Sequence, residues 1–191
     1  MTPRLVAVIG GLTVVAAVVG GVLFVGPSRW YGRSTARASA AGAPAAPSTA
    51  GRRIKAHLFY VDADGTRLSS VERDVAFGEG TVEQARQIIE AQIGPVAEPL
   101  VSAVPPGTRL RTLFVTDRGE AFVDFSRELL TGHSGGSTNE LLTVYTVVDA
   151  LTANLPAVTA VQLLVDGKQV ETLAGHVDLR RPLAKNLAWV Q

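Results

Sequence analysis

Residues 134–179 read SGGSTNELLTVYTVVDALTANLPAVTAVQLLVDGKQVETLAGHVDL. This stretch decides the fold, because a helix, a strand, a tight turn and a returning segment follow one another without interruption. Two glycines precede Ser137, and Ser137-Thr138-Asn139-Glu140 has the Ser-x-x-Glu spacing of a capping box. A helix is predicted from Ser137 to Asn154. Leu141, Tyr145, Val148 and Thr152 fall in one row, with Val144, Leu151 and Leu155 beside it. So broad an apolar face belongs to a helix buried on most of its surface. Pro156 ends it, since proline has no N–H to donate. Val158–Val165 then reads as a strand, Asp166-Gly167 as a turn, and Lys168–Leu173 as a further extended run.

Working outward, Gly132–Gly136 is a glycine-rich loop. Leu110–Asp117 and Glu120–Ser126 are strands around the hairpin signal Asp117-Arg118-Gly119. Val96–Thr108 holds Pro99, Pro105, Pro106 and Gly107 and reads as a loop. Thr81–Ile93 is a helix whose apolar stripe is Val82, Ala85, Ile89 and Ile93; Thr81 with Gln84 forms a capping-box pattern, and Gly94-Pro95 ends the element. Ile54–Val61 alternates and then becomes apolar, as in a half-buried strand. Asp62-Ala63-Asp64-Gly65 turns it into a second run reaching Phe77. The expected fold class is α+β: a mixed, mainly antiparallel sheet packed with two helices, formed by residues 52–191.

The first 51 residues have a different character. Leu5–Val25 carries no charge over 21 residues. A helix of that length reaches roughly 30 Å, the hydrocarbon thickness of a bilayer. It exceeds the apolar core of about 7–15 residues in a cleaved signal peptide. Residues 1–28 are therefore expected to form an N-terminal transmembrane anchor, although Ala38-Ser39-Ala40 has the small residues of a cleavage site. Ala16/Gly20 and Ala17/Gly21 give small-xxx-small spacing, and an Ala/Gly-rich membrane helix explains them. Residues 29–51, rich in Ala, Pro and Ser, have too little apolar surface to offset ordering entropy and read as a flexible linker.

The composition excludes several classes of function. Eighteen basic and 17 acidic residues give a formal net charge of +1, so nothing indicates a nucleic-acid partner. The chain has no cysteine, which removes disulfides, thiolate metal sites, a cysteine nucleophile and a lipidated cysteine. No cofactor and no metal site is expected.

Four residues are candidates for a binding site: Ser137, Glu140, His176 and Asp178. Ser137 and Glu140 open a helix after two glycines, where backbone N–H groups attract anions. Their spacing is also that of a helix cap, and a carboxylate there repels phosphate. His176 and Asp178 are two apart, so on a strand they share a face and the carboxylate orients the imidazole. One histidine and one carboxylate do not make a metal site. The bland reading of His176 is a side chain that fixes how the C-terminal tail packs. His133 beside Ser134 suggests a base and a nucleophile, but neighbours in a glycine-rich loop lack fixed geometry, and no Gly-x-Ser-x-Gly elbow exists. Asp62–Gly65 fails the calcium-loop spacing and is explained as a turn.

Taken in order, Phe59-Tyr60 before Asp64-Gly65, Phe122-Val123-Asp124-Phe125-Ser126, Gly136-Ser137-x-x-Glu140, Val161–Gly167 and Leu173-x-Gly175-His176-x-Asp178 resemble the GerMN domain family, the sporulation and spore germination domain. The resemblance covers about Ile54 to Leu183. It implies an α/β domain outside the cytoplasmic membrane, related to ring-building folds of envelope assemblies, with no enzymatic activity to carry over. The chain departs from longer members in having one domain copy and no lipid-attachment cysteine; the apolar segment takes the lipid's place. Arg29, Arg33 and Arg37 follow the span while Arg4 precedes it, and this count by itself favours a cytoplasmic C-terminal domain. The resemblance favours an extracytoplasmic domain on a single-pass anchor, and that is the placement adopted. The expected function is a membrane-tethered, non-catalytic domain that binds or scaffolds an envelope protein or cell-wall polymer. The alternative is an envelope hydrolase using His176 and Asp178, and self-association is compatible with either.

Overall fold

The computed structural model describes residues 51–191. The membrane span expected over residues 5–25 lies outside them, as does the linker over 29–51 up to its last residue. Among the described residues no helix is long and apolar enough to cross a membrane.

Two strands open the domain. β1 (Arg53–Val61) and β2 (Leu68–Ala76) pair antiparallel from Arg53 opposite Ala76 to Val61 opposite Leu68. Asp62 closes their connection. Its Oδ1 accepts the N–H groups of Thr66 at 3.0 Å and Arg67 at 3.3 Å, an aspartate turn rather than a calcium loop. α1 (Gly80–Ile93) follows, then β3 (Leu110–Val115), β4 (Glu120–Phe125), a short α2 (Glu128–Thr131) and the long α3 (Ser137–Asn154). β5 (Ala160–Val165), two-residue strands β6 (Lys168–Gln169) and β7 (Leu183–Ala184), and a 3₁₀ turn at Leu187–Trp189 complete it.

The described residues form two sheets where one was expected. β1 and β2 form a sheet of their own. The second runs β3-β4-β5-β6, with β7 pairing the opposite end of β5 from β6. Only β4 and β5 are parallel, because α3 carries the chain back across the sheet between them. The extended run expected over Lys168–Leu173 is a strand for two residues only; beyond Gln169 the chain leaves the sheet. Asp166 and Gly167 turn β5 into β6 with φ of 50° and 76°, the left-handed pair that a two-residue hairpin loop requires. At the β3–β4 turn, Gly119 has φ 82°, and an added Cβ would stand 2.6 Å from the Ala157 carbonyl oxygen. Glycine is required there by both conformation and space.

α1 and α3 pack on each other and reach both sheets, so the core lies between the two sheets with the helices bridging it. α3 is mostly buried, as its apolar breadth implied, but its most buried side differs from the expected rows: Leu142, Val144, Val147, Val148, Ala150 and Leu151 are buried, whereas Leu141, Tyr145, Thr152 and Leu155 are half-buried. α1 differs from its expected stripe. Val82 is 40% exposed, and the buried row is Gln84, Ala85, Ile88, Ile89 and Gln92. Two polar glutamines in a buried row break the hydrophobic pattern from which the face was read. Gln84 does not pair with Thr81 in a cap either. Its Oε1 accepts the Gly78 N–H at 2.9 Å and its Nε2 donates to the Ala76 carbonyl at 3.1 Å, joining the end of β2 to the helix.

The other glutamine has a larger role. β1 pairs with β2 on one side only, and its outer edge presents the N–H and C=O of His57, Phe59 and Val61. The Gln92 amide meets both groups of Phe59, at 2.8 and 2.7 Å. The Asn154 amide does the same for His57, at 2.8 and 2.7 Å. The Val61 N–H donates to the Val101 carbonyl at 2.8 Å. Side chains from both helices thus stand where a third strand would lie. Removing such a partner from a buried site leaves backbone groups unsatisfied, at a cost of about 1–3 kcal/mol each. Gln92→Ala is expected to lower the unfolding free energy by about 3 kcal/mol, measured by urea denaturation. Asn154→Ala, at a more exposed pair, should lose about 1 kcal/mol in the same series.

Candidate functional site

The four candidate residues divide into two groups in space. Ser137 is the first residue of α3, exposed, and makes no capping hydrogen bond; the N-cap is Gly136. Glu140, one turn later, points inward and is fully buried. The capping-box reading of this pair is therefore corrected. With Gly136 as cap, Glu140 sits too deep in the helix to reach back, and another segment takes its carboxylate.

That segment is the loop after β6. Glu140 Oε1 accepts the Leu173 N–H at 2.7 Å, and Oε2 accepts the His176 N–H at 2.8 Å. The His176 ring turns the same way, with Nδ1 3.1 Å from Glu140 Oε2. Burial alone raises the pKa of a carboxyl group. Here the backbone N–H groups of Ala174, His176, Leu173 and Val177 outweigh burial and hold Glu140 below its ordinary value. A buried carboxylate encircled by backbone donors is held as an anion, and the loop takes its shape from that anion.

His176 and Asp178 are not a pair. Residues 170–182 are irregular rather than a strand, so a spacing of two no longer places both on one face. Asp178 binds Arg180 instead: its Oδ1 accepts the Arg180 N–H at 3.0 Å and Nε at 2.9 Å, and its Oδ2 meets Nη2 at 2.9 Å. The Arg180 guanidinium and N–H hold the Asp178 carboxyl far below the usual carboxylate range. The carboxylate that orients His176 is Glu140, 36 residues away in sequence. Glu140 and His176 are brought together; neither Ser137 nor Asp178 bonds to them, Asp178 being engaged by Arg180. The His176 ring, with its side chain 45% exposed, lines a shallow surface depression with Glu171, Thr172, Gly175, Asp178 and Arg180.

His133 and Ser134 also separate. His133 Nδ1 accepts the Gly135 N–H at 2.9 Å, which places the proton of the neutral ring on Nε2, 3.3 Å from Thr143 Oγ1. Ser134 Oγ accepts from Asn139 Nδ2 at 3.2 Å. The histidine fixes the loop to α3. Beside it lies a cleft of about 300 Å³ whose walls include Val61, Val101, Pro105 and Leu142. No group of three or more histidines or carboxylates suited to a metal ion occurs among the described residues.

Two buried carboxylates were not anticipated. Asp124 on β4 accepts the Gly167 N–H at 2.8 Å and pairs with Arg111 Nε at 3.1 Å, tying three strands together around the Asp166-Gly167 turn. Asp149 on α3 is fully buried; its Oδ1 accepts the Asn186 N–H at 3.0 Å and its Oδ2 has no hydrogen-bond partner among the described residues. Burial raises its pKa against the opposing effects of the Asn186 N–H and the Lys185 charge. The sequence signal for both was a lone Asp inside an apolar run, FVDF and VVDAL.

Comparison with known proteins follows the fold. The family described as Germane, sporulation and spore germination, matches residues 57–171. That span includes Glu140 and stops short of the loop it holds. Solved structures with similar folds include a candidate lipoprotein from Clostridium perfringens, 24% identical with a TM-score of 0.50, covering 70% of this chain and 88% of that one. The first GerMN domain of the sporulation protein GerM from Bacillus subtilis is 20% identical with a TM-score of 0.54, covering 69% of this chain and 97% of that one. The tandem GerMN domains of the same protein are 17% identical with a TM-score of 0.52, covering 71% of this chain and 46% of that one. No curated protein matches the chain.

The two buried acids set opposite pH slopes. The folded pKa of Glu140 lies below its unfolded value, so its contribution is present above the ordinary carboxyl range and lost as pH falls through the folded value. Glu140→Gln should cost about 2–3 kcal/mol at neutral pH, with the gap to wild type closing below about pH 4, in urea denaturation across pH. The folded pKa of Asp149 is raised, so its contribution is present at low pH and is lost as pH rises through that value. Asp149→Asn is expected to remove this slope and to gain stability relative to wild type between about pH 4 and 7.

Proposed function

This chain belongs to the Germane family of sporulation and spore germination domains, and we propose that it is a membrane-tethered, extracytoplasmic member that binds a partner and does not catalyse a reaction. One observation carries this reading. Among the described residues, the only histidine with a carboxylate at its ring is His176, and that carboxylate, Glu140, already accepts backbone N–H groups of the loop on which His176 sits. The dyad holds a loop in place. No serine hydroxyl shares a hydrogen bond with His176 or His133; Ser70 Oγ lies 3.3 Å from His57 Nδ1, an exposed pair whose ring has no carboxylate to orient it among the described residues. Asp178, the partner a hydrolase reading requires, is engaged by Arg180.

The placement outside the membrane draws on two supports. Leu5–Val25 is long and apolar enough for a single span, and a protein of similar fold is named as a candidate lipoprotein, a class anchored at membranes. The arginines after the span argue the other way. The family description supports a role connected with sporulation or germination; the partner proposed is an envelope protein or a wall polymer.

Protease added to intact spheroplasts is expected to release the domain by cutting between residues 29 and 51. Protection until the cells are lysed would place the domain in the cytoplasm and reject the envelope partner. The wild type and His176→Ala are expected to be equally inactive on peptidoglycan and on a model ester. Hydrolysis by the wild type that disappears in His176→Ala would establish an enzyme instead.

A further inference from the structure

We infer that the outer edge of β2 is a docking edge, which takes an extended basic segment of a partner protein as a third strand of the β1–β2 sheet. The inference rests on the binding role proposed above and names where binding occurs.

In an antiparallel pair, alternate residues direct both backbone groups toward the partner strand, and the rest direct them away. His57, Phe59 and Val61 face away from β2, toward Asn154, Gln92 and Val101. Through the register of the pair, Leu68, Ser70, Glu72, Asp74 and Ala76 face away from β1. Three independent bonds agree: the Leu68 carbonyl accepts the Gln191 N–H at 2.9 Å, the Asp74 carbonyl accepts Arg53 Nη2 at 2.7 Å, and the Ala76 carbonyl accepts Gln84 Nε2 at 3.1 Å. Between these points, the N–H and C=O groups of Ser70 and Glu72 and the N–H of Asp74 have no partner among the described residues, and all three residues are exposed.

The edge already accepts a strand at its start. Val190 bridges Leu68 in the parallel sense, the first rung of the ladder that a longer segment would continue. The two edges of this sheet therefore differ. β1 is closed by amides from the helices, whereas β2 is open over Ser70–Asp74. An extended chain laid along such an edge gains main-chain hydrogen bonds and is selected by alternate side chains.

Those side chains define the occupant. Glu72 and Asp74 project on one face, sharing Lys55 at 3.8 and 3.0 Å, and all three are more than half exposed. On the other face, Val71 is half-buried and Arg73 lies over the Tyr60 ring. A partner strand suits this edge with Lys or Arg opposite Glu72 and Asp74 and a small apolar residue opposite Val71. A second copy does not suit it, since two such edges place acidic side chains against each other across the open stretch.

The test uses the full-length protein in detergent micelles and two fluorescein-labelled octapeptides, one alternating Lys-Val and one alternating Glu-Val. Anisotropy should show the Lys-Val peptide binding at least about tenfold more tightly, a difference of about 1.4 kcal/mol. Amide exchange should slow at Ser70, Glu72 and Asp74. A Ser70→Pro/Glu72→Pro variant keeps the β1–β2 ladder and should bind at least about tenfold more weakly than Ser70→Ala/Glu72→Ala, which loses the same side chains but keeps the outward-facing donors. If that variant fails to fold by circular dichroism, Glu72→Lys/Asp74→Lys asks the same question, and its peptide preference should reverse. No binding of the Lys-Val peptide at millimolar concentration overturns the inference. So does binding that leaves the three amides unprotected or survives the prolines, since it would then be charge attraction alone. A cellular partner that cross-links equally to wild type and the proline variant overturns the docking edge while leaving the binding role intact.

Discussion

The structure depends on a demand made by one strand. β1 has a neighbour on one side only, and its other edge faces the two helices, buried at Phe59, where unpaired N–H and C=O groups are most costly. Gln92 of α1 and Asn154 of α3 supply primary amides, each turning one N–H and its C=O toward the strand in the geometry of a peptide group, while Asn154 also donates to the Ala150 carbonyl. Each amide copies one rung of a missing strand. The hairpin, α1 and α3 are thereby fixed to one another by directional bonds, in addition to apolar contact. Apolar contact sets how closely these elements approach, and the amides set their register.

Glu140 applies the same logic at the other end of the domain. Here the unsatisfied groups belong to the irregular loop after β6, and one buried carboxylate gathers several of its N–H groups. Glu140 also turns the His176 ring, so the histidine that invites a catalytic reading is better explained by the loop it stabilises. Asp124 performs a comparable task for the Gly167 N–H and Arg111. In three places, then, a buried polar side chain replaces secondary structure that the chain does not form. An irregular loop held by a buried anion has a fixed shape, which is a property a binding surface needs.

The contrast between the two edges of the small sheet has a functional bearing. Exposed strand edges invite unwanted pairing, and proteins commonly guard them with charge. Glu72 and Asp74 serve that purpose against a second copy of the chain, whose own acids they would meet. The same charges attract a basic strand. One pair of side chains therefore acts against self-association and in favour of a complementary partner.

Local signals determined the order of elements. The apolar breadth of α3, the Asp-Gly turn at 166–167, Pro156 and the Asp117-Arg118-Gly119 hairpin depend on residues close in sequence, and each was read correctly. The family was legible for the same reason, since its signature consists largely of folding signals. Tertiary structure alone decided how the polar residues are used. Ser137-x-x-Glu140 has the spacing of a cap, but the carboxylate is taken by a loop more than 30 residues downstream. Thr81 and Gln84 likewise have cap spacing, but Gln84 reaches back to β2. His176 and Asp178 share a face only on a strand, and the chain leaves the sheet after Gln169. The burial of Gln92 was hidden because hydrophobic periodicity counts a glutamine as solvent-facing. A buried amide or carboxylate is stable only when a distant backbone donor or acceptor meets it, and that meeting is a property of the assembled fold.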